Sequence, residues 1–269
     1  MRSLTSAAPF RAALMTLGLL GATQAASVPA LQTLPHSQVV TSLGSTPGWF
    51  ICDSLNAPVV SVMGWPDQRG LSRLTTYSKK GAGQFVYRNY KVGGSDVGAG
   101  QIRYALTPSG QTVTSQTIYN VGSFNIGALD HPEQALTPNI VTLYSQEASG
   151  DCRWTLNTRL LGFDARRSFM ITEAPTGQLT YQTFDFADPI RLTHPDGVQR
   201  SSVPSLNVVG GSRVISASQE IFTFQNAGYT YTVRVARQGQ PTGASVTVSH
   251  GGKVVQTEAL TGYTYAVRR

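Results

Sequence analysis

The two cysteines are the residues of this chain that could act either as catalytic nucleophiles or as a structural disulfide. Cys52 and Cys152 are the only cysteines in a chain of 269 residues. A nucleophilic thiol needs a neighbouring cation or histidine that lowers its pKa, whereas Asp53 and Asp151 stand beside these cysteines. In an oxidising compartment two such thiols usually pair. The sequence therefore predicts a structural disulfide between them and no catalytic cysteine.

The histidines give no catalytic or metal-binding pattern. His36, His131, His194 and His250 are scattered, and none has a partner at metal-ligand spacing. The nucleophile-elbow pattern is missing, and the glycine-rich stretch 93–100 lacks the Lys-Ser/Thr ending of a phosphate loop, so we interpret it as a connection between strands. We predict no catalytic residue, metal site or cofactor. A hydrolase triad assembled from distant loops stays open, and it would need His131, His194 or His250 near an acid and a hydroxyl.

Basic residues are the remaining candidates for a binding function. The chain has 21 Lys and Arg against 14 Asp and Glu, and residues 26–269 carry a net charge of +5. Basic residues that could gather into a patch for an anionic polymer are Lys79, Lys80, Arg88, Lys91, Arg166 and Arg167. The same residues could be ordinary surface charge. Their dilute distribution disfavours nucleic acid as a partner.

The start of the chain has the layout of a secretory signal peptide. Two arginines accompany a short apolar run at residues 12–22, and small residues follow. This order predicts a signal peptide at residues 1–25, cleaved before Ala26, and the run is shorter than the about 20 residues that span a bilayer. We expect an exported protein, in the periplasm, at the cell surface or outside the cell, with no transmembrane segment in residues 26–269.

Strands and turns account for the rest of the chain. Runs of β-prone residues flank turn formers at 79–81, 108–110 and 175–177, which predicts three hairpins. Long amphipathic helices are missing, so the strands should pair antiparallel. The predicted fold class is all-β: an antiparallel β-sandwich or meander built from hairpins, in one or two β units. We expect at most a short helical turn near residues 130–136, because Pro138 stops it.

A stretch at 191–211 is dense in turn-forming residues and marks a candidate domain boundary. We predict a disulfide-stapled N-terminal β domain at residues 26–195 and a C-terminal β-meander unit at residues 205–269. The heptapeptides at 228–234 and 262–268 are nearly identical. We interpret them as two strands with the same role, with their tyrosines pointing inward.

These observations favour an exported, non-enzymatic β protein of the cell envelope or extracellular space that acts by binding or assembly. Its partner would be an envelope polymer or an envelope protein. Two alternatives stay open: an exported inhibitor or polyanion-binding module with a basic surface, and an exported hydrolase of unrecognised type. The first hypothesis predicts a broad exposed strand face or edge and no polar cleft. The second predicts basic residues clustered on one surface.

Overall fold

The protein, described by a computed structural model, is built almost entirely of antiparallel strands. The described residues are 36–41, 44–98, 100–112, 119–187, 203–237 and 243–265. The predicted signal peptide at residues 1–25 lies outside them. Two 3-10 turns, Ile126–Ala128 and Pro132–Gln134, interrupt the strands, and no helix among the described residues has the length and apolar character needed to cross a membrane. The predicted all-β fold class is confirmed, including the short turn near 130–136.

The described strands form three sheets. In chain order the strands are β1 (His36–Thr41), β2 (Gly44–Asp53), β3 (Val59–Gly64), β4 (Leu71–Ser78), β5 (Phe85–Val97), β6 (Gln101–Pro108), β7 (Asn120–Phe124), β8 (Ile140–Tyr144), β9 (Ser149–Asp151), β10 (Thr158–Phe163), β11 (Arg167–Glu173), β12 (Leu179–Asp185), β13 (Leu206–Val209), β14 (Ser212–Ile215), β15 (Gln219–Asn226), β16 (Tyr229–Ala236), β17 (Ala244–His250), β18 (Lys253–Ala259) and β19 (Gly262–Tyr265). Sheet I runs from β2 to β9, sheet II has the order β13-β12-β11-β10-β19-β1, and sheet III runs from β14 to β18. The start of β2 pairs with β1, which links sheets I and II.

Sheet I curls until its two ends nearly meet. Just past β2, Ser54 forms a bridge to Cys152, and the amide of Leu55 donates to the carbonyl of Asp151 at 2.9 Å. The end of β9 therefore returns to the end of β2. Successive hydrogen-bonded strands make up the rest of the sheet, so its inner face encloses a core.

The three predicted hairpins correspond to the antiparallel pairs β4–β5, β6–β7 and β11–β12. The turn between β11 and β12 shows why the sequence folds back there. The amide of Gly177 donates to the carbonyl of Ala174 at 2.8 Å, and Gly177 has a φ of +83°. Pro175 supplies the fixed φ that favours the second position of such a turn.

Sheets II and III face each other as a β-sandwich. Phe169, Ile171 and Tyr181 of sheet II pack with Phe222 and Val233 of sheet III, and all five are at most 1% exposed. Alternate residues of each strand supply this core, because successive side chains point to opposite faces. Burying a side chain of this size stabilises the fold by roughly 1.5–3 kcal/mol, so this layer fixes how the sheets stack.

A second core fills the inside of sheet I, and a third joins sheet I to sheet II. Phe50 and Leu74 are fully buried inside sheet I. On its outer face, Val60 and Tyr77 pack with Phe163 of β10, with the rings of Tyr77 and Phe163 5.0 Å apart. The outer face of β4 is therefore covered by sheet II at the end of the strand that holds Tyr77.

Two details of the strands differ from the prediction. Residues 93–97 belong to β5, which continues past a bulge between Val92 and Ser95, so most of the glycine-rich stretch is strand and not a connection. The repeated heptapeptides lie in different sheets, β16 in sheet III and β19 in sheet II. Tyr263 is fully buried, but Tyr229 is 39% exposed because β16 begins there, at the rim of the sandwich.

The chain crosses between sheets after residue 205. β13 and β19 pair with strands of sheet II, while β14 to β18 form sheet III. The division into a domain at 26–195 and a unit at 205–269 stays a prediction. Most of its boundary, residues 188–202, lies outside the described ranges.

Candidate functional site

The disulfide predicted from the sequence is present. Cys52 and Cys152 are bonded, with their Cα atoms 4.8 Å apart, and both residues are at most 5% exposed. The bond lies where β9 returns to β2, beside the bridge from Ser54 to Cys152. Because both sulfur atoms are used in this link, neither cysteine offers a thiol for chemistry. The bond holds the ends of sheet I together.

Four of the six basic residues proposed as a polyanion patch are matched with carboxylates inside the fold. The ion pairs are Lys79–Asp53, Arg88–Glu147, Arg166–Glu258 and Arg167–Asp185. Lys80 and Lys91 are exposed, and neither has an ion-pairing carboxylate among the described residues. They lie near opposite ends of β4, since Lys91 is opposite its first residue and Lys80 follows its last.

Lys79 belongs to a buried cluster next to the disulfide. Its ammonium group is 2.6 Å from one carboxylate oxygen of Asp53, and Nε of Arg153 donates to the other at 2.7 Å. Burial alone would raise the pKa of Asp53, but the two cations and their hydrogen bonds outweigh it and lower the pKa from 3.8 to about 2. The Arg153 guanidinium also covers the ring of Phe184 in β12, at 3.3 Å. This cluster therefore ties sheet I to sheet II.

Another ion cluster, which the sequence did not predict, lies between sheets II and III. Arg159 is 0% exposed, and its guanidinium is 2.9 Å from Glu173 and 2.9 Å from Glu220. Arg213 joins from β14, 3.0 Å from Glu173. We call Arg159, Glu173, Arg213 and Glu220 the buried ion cluster. Its two positive and two negative charges balance, so it serves the packing of the two sheets.

An open cleft on the outer face of sheet I gathers basic residues in a different setting. It lies where the loop at residues 65–70 folds over the start of β4, and its volume is about 530 Å³. Ligand sites in proteins typically measure about 300–1,000 Å³. The polar and aromatic residues that line the cleft include Trp65, Asp67, Arg69, Arg73 and Asn89. We call this space the Trp65 cleft.

Three positive charges surround the Trp65 cleft. The side chain of Arg69 is 79% exposed, and the guanidinium of Arg73 lies 4.9 Å from the centre of the Tyr87 ring. Lys91 is not one of the lining residues but lies next to the loop at 65–70, since its Cγ would be 4.0 Å from a Cβ placed on Gly70. In the part of the chain that the structure describes, neither Arg73 nor Lys91 has a carboxylate at ion-pairing distance. The cleft and Lys91 beside it thus combine three cations with one acid.

Asp67 builds the loop that carries these residues. One carboxylate oxygen accepts the amides of Arg69 and Leu71, at 2.8 and 2.9 Å, and the other lies 3.2 Å from the Arg69 guanidinium. The pKa of Asp67 is lowered, first by the Leu71 amide. Gly70 then takes a left-handed φ of +78°, which glycine adopts without steric cost, and its carbonyl accepts the amide of Val92 at 2.8 Å. The loop is thereby fixed against β5.

Trp65 is held by an aromatic stack that reaches into sheet I. The ring centroids of Trp65 and Trp49 are 5.9 Å apart, and Trp49 meets Tyr104 edge-on at 5.4 Å. Trp49 is 5% exposed, whereas Trp65 is half-buried. Because Pro66 follows, the backbone of Trp65 is restricted to extended conformations. Trp65 therefore lines the cleft while its ring is held against the core inside sheet I.

The ionisable side chains that line the Trp65 cleft are Asp67, Arg69 and Arg73. Both oxygens of Asp67 are engaged, and its lowered pKa makes it a poor general acid. Guanidinium groups stay protonated. Of the described residues that line the cleft, none is a histidine or a cysteine.

The described histidines of the hydrolase alternative, His131 and His250, do not line the Trp65 cleft. His131 precedes the second 3-10 turn, and His250 ends β17, where its ring lies 4.5 Å from the ring of Tyr229. His36 lies in β1, and His194 is outside the described residues. No group of three or more His, Cys, Asp or Glu side chains within the described ranges could hold a metal ion. The hydrolase alternative stays a prediction.

Sequence reasoning selected only Lys91 among the residues at the cleft. It missed Trp65, Arg69, Arg73 and Asn89. The signal that could have found them is a tryptophan immediately before a Pro-Asp turn that also carries an arginine. The hairpin that follows pairs Arg73 with Asn89, which places both beside that turn.

Comparisons with models of known protein families, with curated proteins and with solved structures find no match for this chain. Its function must therefore be inferred from the chemistry of its own residues. The Trp65 cleft is the strongest basis for that inference, because it combines a suitable volume with converging polar and aromatic side chains.

Proposed function

We propose that this protein is an exported, non-enzymatic binding protein of the cell envelope or extracellular space, and that it binds an acidic polysaccharide in the Trp65 cleft. The leader predicted at residues 1–25 supports export, and so does the disulfide, since disulfides persist in oxidising compartments. The residues that line the cleft include a tryptophan, two arginines and an asparagine. Side chains of these types stack on sugar rings, pair with carboxylates and bond to hydroxyl groups.

The observation that carries this proposal is the contrast between matched and unmatched basic side chains. Lys79, Arg166 and Arg167 are balanced by carboxylates within the fold. Arg73 and Lys91, at the cleft, have no such partner among the described residues. Unmatched cations around a cleft raise the local concentration of an anionic ligand. A carboxylate of the ligand would complete these pairs.

A polysaccharide fits the Trp65 cleft better than a nucleic acid does. Nucleic-acid sites neutralise many phosphates with dense clusters of basic residues, whereas three cations surround this cleft, of which Arg69 already faces Asp67. Guanidinium groups pair with carboxylates through two parallel hydrogen bonds. A half-buried Trp65 beside such groups suits the apolar face of a sugar ring.

Titration calorimetry with hexagalacturonate tests this proposal. The full chain is expressed with its leader, purified after export and compared with the Arg73→Ala and Lys80→Ala variants. Both variants lose one positive charge on the same hairpin, but only Arg73 lines the cleft. We expect Arg73→Ala to bind about tenfold more weakly, since a hydrogen bond to a charged group contributes roughly 1.5–3 kcal/mol. Lys80→Ala should bind within about twofold of the wild type, because the exposed charge it removes is largely screened at a distance.

Two results would contradict the proposal. If Arg73→Ala and Lys80→Ala weakened binding equally, diffuse surface charge and not the cleft would hold the ligand. If the wild type bound the neutral maltohexaose as tightly as hexagalacturonate, the basic residues would have no role in recognition.

A further inference from the structure

The Trp65 cleft opens onto a strip of exposed side chains on the outer face of β4 and β5. Alternate residues of a strand share a face, so Tyr87, Asn89 and Lys91 lie on one side of β5, and all three are exposed. Arg73 is opposite Asn89 in the β4–β5 register. We call Arg73, Tyr87, Asn89 and Lys91 the β4–β5 strip.

The β4–β5 strip has a defined length. From Lys91 to Tyr87 the strand advances about 13 Å, at about 3.3 Å per residue. Beyond Tyr87, the ring of Phe85 lies 5.5 Å from that of Tyr77, which in turn lies 5.0 Å from Phe163 of sheet II. A ligand along the strip can therefore extend from the cleft to Tyr87 before it meets sheet II.

Tyr87 differs from the other tyrosines of these two strands. It is 55% exposed, whereas the others are at most 7% exposed. Its ring lies 4.9 Å from the Arg73 guanidinium, so it holds that cation over the strip. Tyr87 and Arg73 thus bring an aromatic ring and a guanidinium group into contact beside the cleft, whose lining also includes Trp65 and Arg69.

We infer that the ligand is a chain of several acidic sugar units, and that Tyr87 forms a second subsite next to the Trp65 cleft, with Arg73 shared between the two. This inference rests on the proposed function and goes beyond it, since Tyr87 is not among the residues that line the cleft and a single sugar unit bound there does not require it. A second unit of the same chain binds at the effective concentration set by its linkage to the first. Affinity should therefore increase with chain length, and the increase should depend on Tyr87.

The test measures the affinity of monomeric galacturonate and of hexagalacturonate for the wild type, Tyr87→Ala and Arg69→Ala. We expect Tyr87→Ala to weaken binding of the hexamer by about five- to tenfold, which is the scale of one lost aromatic contact. Its affinity for the monomer should stay within about twofold. Arg69→Ala should weaken binding of both ligands by a similar factor, since Arg69 belongs to the cleft.

The matched control is Tyr144→Ala. Tyr144 is also exposed, at 40%, but lies on β8, so this variant should change neither affinity.

Each outcome separates the inference from the proposed function. If the wild type bound monomer and hexamer with equal affinity, or if Tyr87→Ala left their ratio unchanged, the second subsite would be disproved while the cleft stood. If neither acidic sugar bound, the proposed function itself would fail. A third outcome is that a hexamer of single-stranded DNA binds in a Tyr87-dependent way while hexagalacturonate does not bind. The β4–β5 strip would then belong to a nucleic-acid site, and the inference would be overturned.

Discussion

The buried ion cluster and the Trp65 cleft use the same kinds of side chain in opposite settings. In the buried ion cluster, Arg159 is 0% exposed, and each of its two carboxylate partners is at most 4% exposed. At the cleft, Arg69 is 79% exposed, and Arg73 lies over an aromatic ring instead of a carboxylate. The residue types are shared, so the difference comes from burial and from neighbours.

This difference decides which property each region controls. A charge taken out of water costs several kcal/mol unless partners match it, so the buried ion cluster must be complete whenever the protein is folded. An exposed ion pair contributes only about 0–1 kcal/mol, so side chains at the cleft are not constrained by stability in the same way. We expect substitutions in the buried ion cluster to change stability, and substitutions at the cleft to change binding.

The largest effect should follow from Arg159→Met. This change removes the fully buried cation that joins Glu173 and Glu220 and leaves only Arg213 near both. Breaking a buried pair in this way costs about 3–5 kcal/mol. Urea unfolding, followed by tryptophan fluorescence, should show that loss in the free energy of unfolding.

The matched control for Arg159→Met is Arg69→Met, the same change at an exposed arginine. Its free energy of unfolding should stay within about 0.5 kcal/mol of the wild type, as for most surface substitutions. A triple variant that adds Glu173→Gln and Glu220→Gln to Arg159→Met should recover part of the loss. Equal losses for the two arginine variants would remove the distinction between the buried ion cluster and the cleft.

The fold class was predictable because its signals are local. In β16 the period of two correctly predicts that Val233 and Val235 are buried and that Arg234 is exposed. The partners of β19 were not predictable in the same way. Its heptapeptide resembles that of β16, yet β19 pairs with β1 and β10 in sheet II. Pairing between strands far apart in sequence depends on how whole sheets stack, which a short pattern does not encode.

The sequence did not predict which basic side chains are free to bind a ligand and which are held in ion pairs inside the fold. Lys79 follows β4 at a hairpin and so is expected to be exposed, but its side chain is only 11% exposed, because Asp53 and the carbonyl of Ser54 draw it inward. Arg73 had no sequence feature that marked it as a ligand-binding residue. It lines a cleft only because the loop at 65–70 folds onto β5.

An intermediate effect should appear when the pH is lowered. The folded-state pKa of Asp53 is about 2, below its ordinary value of 3.8. A carboxyl group whose pKa is lowered by folding stabilises the folded state at pH values above its unfolded-state pKa. This stabilisation is lost as the pH falls through the folded-state pKa. At about 1.4 kcal/mol per pKa unit, this contribution is about 2.5 kcal/mol. Urea unfolding at a series of pH values from about 5 down to about 2 measures it.

Lys79→Met assigns this pH dependence to the Asp53 cluster. The variant removes one of the two cations that lower the pKa of Asp53, so the folded-state pKa should rise and the loss of stability at low pH should become smaller. Lys80→Met removes a neighbouring but exposed charge and should keep the wild-type profile. Identical pH profiles for Lys79→Met and the wild type would show that other carboxyl groups cause the acid dependence.

The smallest and sharpest effect should come from Asp67, whose carboxylate both holds the loop and opposes an anionic ligand. Asp67→Asn keeps an oxygen that can accept the amides of Arg69 and Leu71 and removes the negative charge, whereas Asp67→Ala removes both. We expect Asp67→Asn to bind hexagalacturonate about two- to threefold more tightly, because Arg69 no longer shares its charge with a carboxylate. Asp67→Ala should bind more weakly than the wild type, since the loop loses two hydrogen bonds. Titration calorimetry on the wild type and the two variants measures these affinities. Equal affinities for the two variants would show that Asp67 acts through its charge alone. The loop geometry would then not be what positions the basic side chains.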